Sequence, residues 1–134
     1  MNLDNLKSKV LEIDEKNISQ TDIETIEETI ELLDRGQIRV AEKLGNSWEV
    51  NEWIRDAIML YFSIRNLKEI KAGELLFYDK LEPKKNYKEL KIRVVPPGAV
   101  RYGAFCEPGV VVMPGFVNIG AYVGSGRSEE HTSE

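Results

Sequence analysis

The sequence predicts an α+β chain that is mainly β: an N-terminal helical domain with a β-hairpin, followed by the first coils of a parallel β-helix. Three observations carry that expectation. Apolar residues recur at helical spacing in three stretches before residue 63. Between the second and third, the dipeptide Gly45-Asn46 separates two short alternating runs. From Val95 to Gly126 the chain then repeats itself every six residues: VPPGAV, RYGAFC, EPGVVV, MPGFVN, IGAYVG. A period of six fits neither a strand nor an α-helix, whose side chains repeat every 2 and about 3.6 residues. It fits a solenoid of short flat rungs, three to a triangular coil. On this grid the fifth column, Ala99, Phe105, Val111, Val117 and Val123, faces inward. The third column, Pro97, Gly103, Gly109, Gly115 and Ala121, turns the chain.

Leu3, Leu6, Val10 and Ile13 predict an amphipathic helix over 3–14. Thr21 and Glu24 offer a capping box for a second helix, buried through Ile23, Ile26, Ile30 and Leu33 and ended at Gly36. Its acidic face (Glu24, Glu27, Glu28, Glu31) reads as solvated rather than metal-binding. Ile38, Val40, Trp48 and Val50 alternate about Gly45-Asn46 as a hairpin. Asn51 caps a third helix that turns Ile54, Ala57, Ile58, Tyr61 and Phe62 inward, and Trp48 and Trp53 read as packing residues. Residues 66–92 carry Gly73, Pro83 and lysines 80, 84, 85, 88 and 91, and predict a solvated connection with one or two short strands. The organisation expected is therefore 1–66 helical domain with hairpin, 67–94 connecting segment, 95–126 start of the β-helix, and 127–134 a tail outside the repeat.

A net charge of -5 argues against a nucleic-acid surface. No apolar run approaches the ~20 residues needed to cross a bilayer, and MNLDNLKSK has no signal-peptide core. A cytoplasmic location follows as the expectation. The lone Cys106 has no cysteine partner for a disulfide or a Cys/His metal site, so no metal is expected.

Three blocks go beyond pattern: LLDRGQIRVAEKLGNSWEVNEWIRDAIMLYF (32–62), FYDK (77–80) and IRVVPPGAVRYGAFCEPGVVVMPGFVNIGAYVGSG (92–126). Together they resemble tetrahydrodipicolinate N-succinyltransferase, over residues 20–126. The resemblance implies a left-handed parallel β-helix after the helical domain, and a homotrimer with active sites between neighbouring β-helices. It implies succinyl transfer from succinyl-CoA, as co-substrate, to tetrahydrodipicolinate in the diaminopimelate route of lysine biosynthesis. No bound cofactor is implied. Arg93, in RVVPP, matches the family position that contacts the dicarboxylate substrate, a task suited to a planar guanidinium fork. Arg101 and Tyr102 lie one rung later as weaker candidates for a cleft. Asn118 is expected to satisfy backbone groups at a coil corner.

The family continues with a segment beginning TMVD, whose aspartate is its other main substrate and catalytic position. Here Gly126 is followed by RSEEHTSE. The codons AGA TCG GAA GAG CAC ACG TCT GAA, those of a common sequencing-library adapter, spell that tail. It is expected to be an artefact on a truncated chain; a natural disordered terminus is the competing reading. His131, the sole histidine, lies within it and is not nominated as a base. No catalytic or CoA-binding residue is nominated, and the chain alone is expected to be inactive. The alternative reading is a non-catalytic repeat scaffold or oligomerisation module.

Overall fold

The computed structural model describes residues 2–125 and the backbone of Ser128–Glu129. Helix α1 (Leu3–Leu11) begins at Asn2, whose side-chain oxygen accepts the Asn5 N–H at 3.2 Å. It ends before Ile13, which still packs against the core. Helix α2 (Gln20–Asp34) has its capping box two residues earlier than the sequence suggests. Ser19 Oγ accepts the Asp22 N–H at 3.1 Å, and the Asp22 carboxylate accepts the Ser19 N–H at 3.0 Å. Thr21 and Glu24 are thus already helical; both Ser19 and Thr21 have an acidic residue three places on, so spacing alone did not separate them.

Thr25 and Thr29 lie buried beside Ile26, Ile30 and Leu33 on α2. Their hydroxyls donate to the carbonyls of Thr21 and Thr25, respectively, which is how two polar residues enter an apolar interface. At the end of α2, Gly36 adopts φ +74°. The Gly36 N–H reaches the Leu33 carbonyl and the Gln37 N–H reaches the Leu32 carbonyl, both at 3.0 Å, closing a Schellman motif. A Cβ on Gly36 would also meet the Phe105 ring at 2.6 Å, so this glycine brings the helix end flat against the β region.

Strands β1 (Ala41–Leu44) and β2 (Ser47–Val50) form the expected antiparallel hairpin around Gly45. It stands off the body, and Trp48, expected to pack, is 65% exposed; Trp53 is buried as expected. Helix α3 (Glu52–Ile64) follows Asn51, whose carboxamide donates to the Arg39 carbonyl at 2.7 Å instead of capping the helix. Ile54, Ala57 and Tyr61 are buried, with Ile58 and Phe62 packed at the margin. The connecting segment holds a second hairpin, β3 (Lys68–Ala72) with β4 (Leu75–Asp79), and a short α4 (Tyr87–Leu90). Gly73 does not merely interrupt this region; at φ +65° it is the turn itself.

Beyond α4 come seven two-residue strands: β5 (Arg93–Val94), β6 (Ala99–Val100), β7 (Phe105–Cys106), β8 (Val111–Val112), β9 (Phe116–Val117), β10 (Tyr122–Val123) and β11 (Ser128–Glu129). They form three parallel ladders visited in rotation: β5–β8–β11, β6–β9 and β7–β10. Arg93 pairs with Val111, eighteen residues on, but Ala99 pairs with Phe116 and Phe105 with Tyr122, each seventeen on.

That missing residue corrects the six-residue grid. The buried strand residues are Val100, Cys106, Val112, Val117 and Val123, so the chain takes five residues from Val112 to Val117 and six elsewhere. The fifth column therefore points inward only at Val117 and Val123. Ala99, Phe105 and Val111 are one place out of phase and face outward. Two residues before these inward positions, Ala104, Val110 and Ala121 are buried as well, the alternation proper to a strand. Three residues before them stand the corners. Lys91, Gly103, Gly109 and Gly120 take positive φ before the β5–β8 and β7–β10 ladders. Pro97 and Pro114 hold the same place before β6 and β9.

Ser128–Glu129, expected outside the repeat, pair in parallel with Val111–Val112. A ladder is made by backbone groups and asks for no apolar side chain. The rest of the tail, His131 included, lies outside the described residues. Two apolar clusters result, one centred on Ile26, Ile30, Ile54 and Ala57, the other on Val100, Val110, Val112 and Val117. Tyr102 and Ile119 leave the coil to pack on the first.

The phase slip is open to direct measurement. Val112→Asp places an unpaired charge in the coil and is expected to cost at least ~2 kcal/mol more in urea unfolding than Val111→Asp. The reverse order would restore the uncorrected six-residue grid.

Candidate functional site

Arg93 opens the first ladder, with its N–H donating to the Val110 carbonyl at 3.0 Å. Ile92 is buried and Val94 packs against the coil interior, so strand alternation turns Arg93 outward. Its side chain is exposed, and among the described residues no carboxylate pairs with it. The guanidinium is thus presented to whatever approaches that face.

Arg101 differs. Its guanidinium donates to Asp79 Oδ2 at 2.9 Å and Asn118 Oδ1 at 3.0 Å, and lies 5.2 Å from the Phe62 ring and 5.6 Å from the Phe116 ring. Its Nε is buried without an acceptor among the described residues. This arginine ties the β3–β4 hairpin and α3 to the coil and is committed to that task. Asn118 Oδ1 also accepts the Ile119 N–H at 2.9 Å, the corner role expected from sequence. Tyr102 donates to Glu31 Oε1 at 2.5 Å. Burial first, and then that hydrogen bond, raises its phenol well above the ordinary range, so it remains a donor.

The residue that sequence reasoning missed is Lys84. Expected on a solvated connection, it is buried at the seam between α2 and the coil. Its ammonium donates to the Asp34 carbonyl at 2.7 Å and the Ala104 carbonyl at 2.6 Å, and lies 3.0 Å from Asp34 Oδ1. Two of its donors serve carbonyls, and the Asp34 carboxylate balances its charge. Asp34 Oδ1 also accepts the Gly103 N–H at 2.9 Å. Nothing in the run KLEPKK distinguishes Lys84 from its neighbours, because its partners lie twenty and fifty residues away. Next to this pair opens a cavity of about 350 Å3 walled by Tyr61, Arg65, Glu82 and Tyr102. Across the coil, the Arg39 guanidinium stacks 3.4 Å from the Tyr122 ring, and the Tyr122 hydroxyl donates to Glu107 Oε2 at 2.5 Å. No helix among the described residues is long and apolar enough to cross a membrane.

A helical unit locked to a coil of two-residue parallel strands defines a repeat-coil protein of α+β type. Residues 6–64 match the family described as "Tetrahydrodipicolinate N-succinyltransferase N-terminal". A 2,3,4,5-tetrahydropyridine-2,6-dicarboxylate N-succinyltransferase of Acinetobacter baylyi is 42% identical over 106 residues, 75% of this chain and 39% of its own length. One of Buchnera aphidicola subsp. Schizaphis graminum is 42% identical over 125 residues, 89% of this chain and 46% of its own. One of Blochmanniella floridana is 39% identical over 136 residues, 90% of this chain and 49% of its own. The chain belongs to the tetrahydrodipicolinate N-succinyltransferase family and spans less than half the length of these relatives.

Glu82, on the cavity wall, accepts from Lys68 and lies 2.8 Å from both Lys68 and Lys85. Those hydrogen bonds hold its carboxyl down at about 2. A depressed carboxyl stabilises the fold above its unfolded pKa of ~4.3, and that contribution fades as pH falls through the folded value. The Glu82 side chain is 32% exposed, so solvent screening keeps the contribution below ~1 kcal/mol. In urea titrations, Glu82→Gln should carry a small cost near neutral pH that disappears at about pH 2. A cost independent of pH would show that the two lysines do not act on its charge.

Proposed function

We propose that this chain is the N-terminal part of a cytoplasmic N-succinyltransferase that carries succinyl from succinyl-CoA to tetrahydrodipicolinate, forming N-succinyl-2-amino-6-oxopimelate on the diaminopimelate route to lysine. In the hydrated, ring-opened substrate the amine attacks the thioester carbonyl. The tetrahedral intermediate collapses with loss of the CoA thiolate, and the amine proton leaves to a base or to the departing sulfur. Arg93 binds a substrate carboxylate through its two-pronged guanidinium. The observation that carries this reading is the outward Arg93 at the head of the first ladder, unpaired among the described residues, in a chain whose relatives are named for this reaction.

The coil is read as the start of a left-handed β-helix, and the working protein as a homotrimer with substrate bound between coils. The two separate apolar clusters support reading a helical domain (1–66) apart from the coil (95–126), with 67–94 as the connection between them; residues 127–134 are read as an added tail. On this reading the chain lacks the CoA site and the second substrate-binding carboxylate, and is inactive alone.

The test is to recover the uninterrupted gene, express its full product and follow CoA thiol release with tetrahydrodipicolinate. Turnover is expected, with Arg93→Ala lowering kcat/KM by about 100-fold or more and Arg93→Lys recovering part of it. Absence of CoA release, or a genuine stop soon after Gly126, would favour a non-catalytic scaffold. Turnover unchanged in Arg93→Ala would remove Arg93 from the site.

A further inference from the structure

The cavity of about 350 Å3 at the seam falls outside the proposed substrate site and has the size of a small-molecule pocket. Its charges do not cancel. Asp34 is matched by Lys84, which also donates to two carbonyls, and Glu82 is matched twice, by Lys68 and Lys85. Arg65 is left over. Its Nε leans on the Lys80 carbonyl at 3.4 Å and its guanidinium lies 5.7 Å from the Tyr61 ring, but no carboxylate pairs with it among the described residues.

Two neutral polar groups on the wall are also uncommitted. Neither the Tyr61 hydroxyl nor the Asn86 carboxamide has a side-chain hydrogen-bond partner among the described residues. Burial raises the Tyr61 phenol, so its hydroxyl keeps its proton to donate. The Tyr61 and Tyr102 rings, 6.5 Å apart between centroids, both line the cavity and supply apolar wall. A planar cation, a phenolic donor and aromatic walls around one opening recognise a particular chemistry: a carboxylate attached to a small flat or apolar body. From this we infer that the seam cavity binds a small organic monocarboxylate, its carboxylate on Arg65 and Tyr61 and its body against the tyrosine rings.

This inference is independent of the succinyl-transfer reading. Benzoate is the probe, benzamide its neutral isostere, and inorganic phosphate the control for a general anion site. In the 134-residue chain, benzoate is expected to shift the backbone amide resonances of Tyr61, Arg65, Lys84 and Asn86 saturably, while benzamide and phosphate do not. Arg65→Ala should weaken the response by about tenfold or more, with Arg65→Lys between the two. An unchanged circular-dichroism melting point in both variants separates lost binding from lost fold. Should Arg65→Ala not fold, the benzoate-against-benzamide comparison on the parent chain decides alone. No saturable shift, an equal response to phosphate or benzamide, or an undiminished response in a folded Arg65→Ala chain would overturn the assignment.

Discussion

One ammonium group joins the two halves of this molecule. Lys84 Nζ sits where the C-terminal end of α2 meets the first turn of the coil, donating to the carbonyls of Asp34 and Ala104 and facing the Asp34 carboxylate. A buried cation is costly unless it is hydrogen-bonded and its charge is matched; here two carbonyls accept from it and a carboxylate faces it. It also lies against the negative end of the helix, adding to the attraction. The same carboxylate holds the Gly103 N–H, so a single Asp–Lys pair fixes the coil's second corner against the helix. Around it, the Phe105 ring lies on Gly36, and Tyr102 reaches back to Glu31. The outward-facing aromatic residues of the first coil are therefore seam residues.

This arrangement explains what the sequence made legible and what it did not. Local signals read well: Gly36, Gly45 and Asn51 mark real boundaries, and Ile26, Ile30, Ile54 and Ala57 are buried as their spacing implies. The six-residue period announced a coil but misplaced its inward column. Phe105 and Val111 are as apolar as Cys106 and Val112, and only stacking of one coil on the next reveals the five-residue step to Val117. Trp48 was read by composition, and composition does not say that its hairpin stands clear of the body. Lys84 was invisible because burial of a lysine is decided by partners distant in sequence.

The candidate residues divide along the same line. Arg93 is legible because it sits in a motif and on a strand whose alternation leaves it outside. Arg101, equally prominent in sequence, is withdrawn by Asp79, Asn118 and two phenylalanine rings into holding the β3–β4 hairpin. Two arginines eight residues apart thus have opposite fates: among the described residues one meets no carboxylate, and the other is already occupied by one. In the proposed reaction, the seam's task is to hold the coil's first ladder, and Arg93 with it, in a fixed relation to the helical half.

That claim is tested most directly by a double-mutant cycle on Asp34→Asn and Lys84→Met, read from urea unfolding. Asp34→Asn, which strands the buried ammonium, should cost ~3–5 kcal/mol, and Lys84→Met, which strands a partly buried carboxylate, ~2–4 kcal/mol. The double change should cost less than their sum by ~2 kcal/mol or more. Strict additivity, with each single change costing under ~1 kcal/mol, would contradict the account, since the seam would then be held by its apolar contacts and not by the Asp34–Lys84 pair.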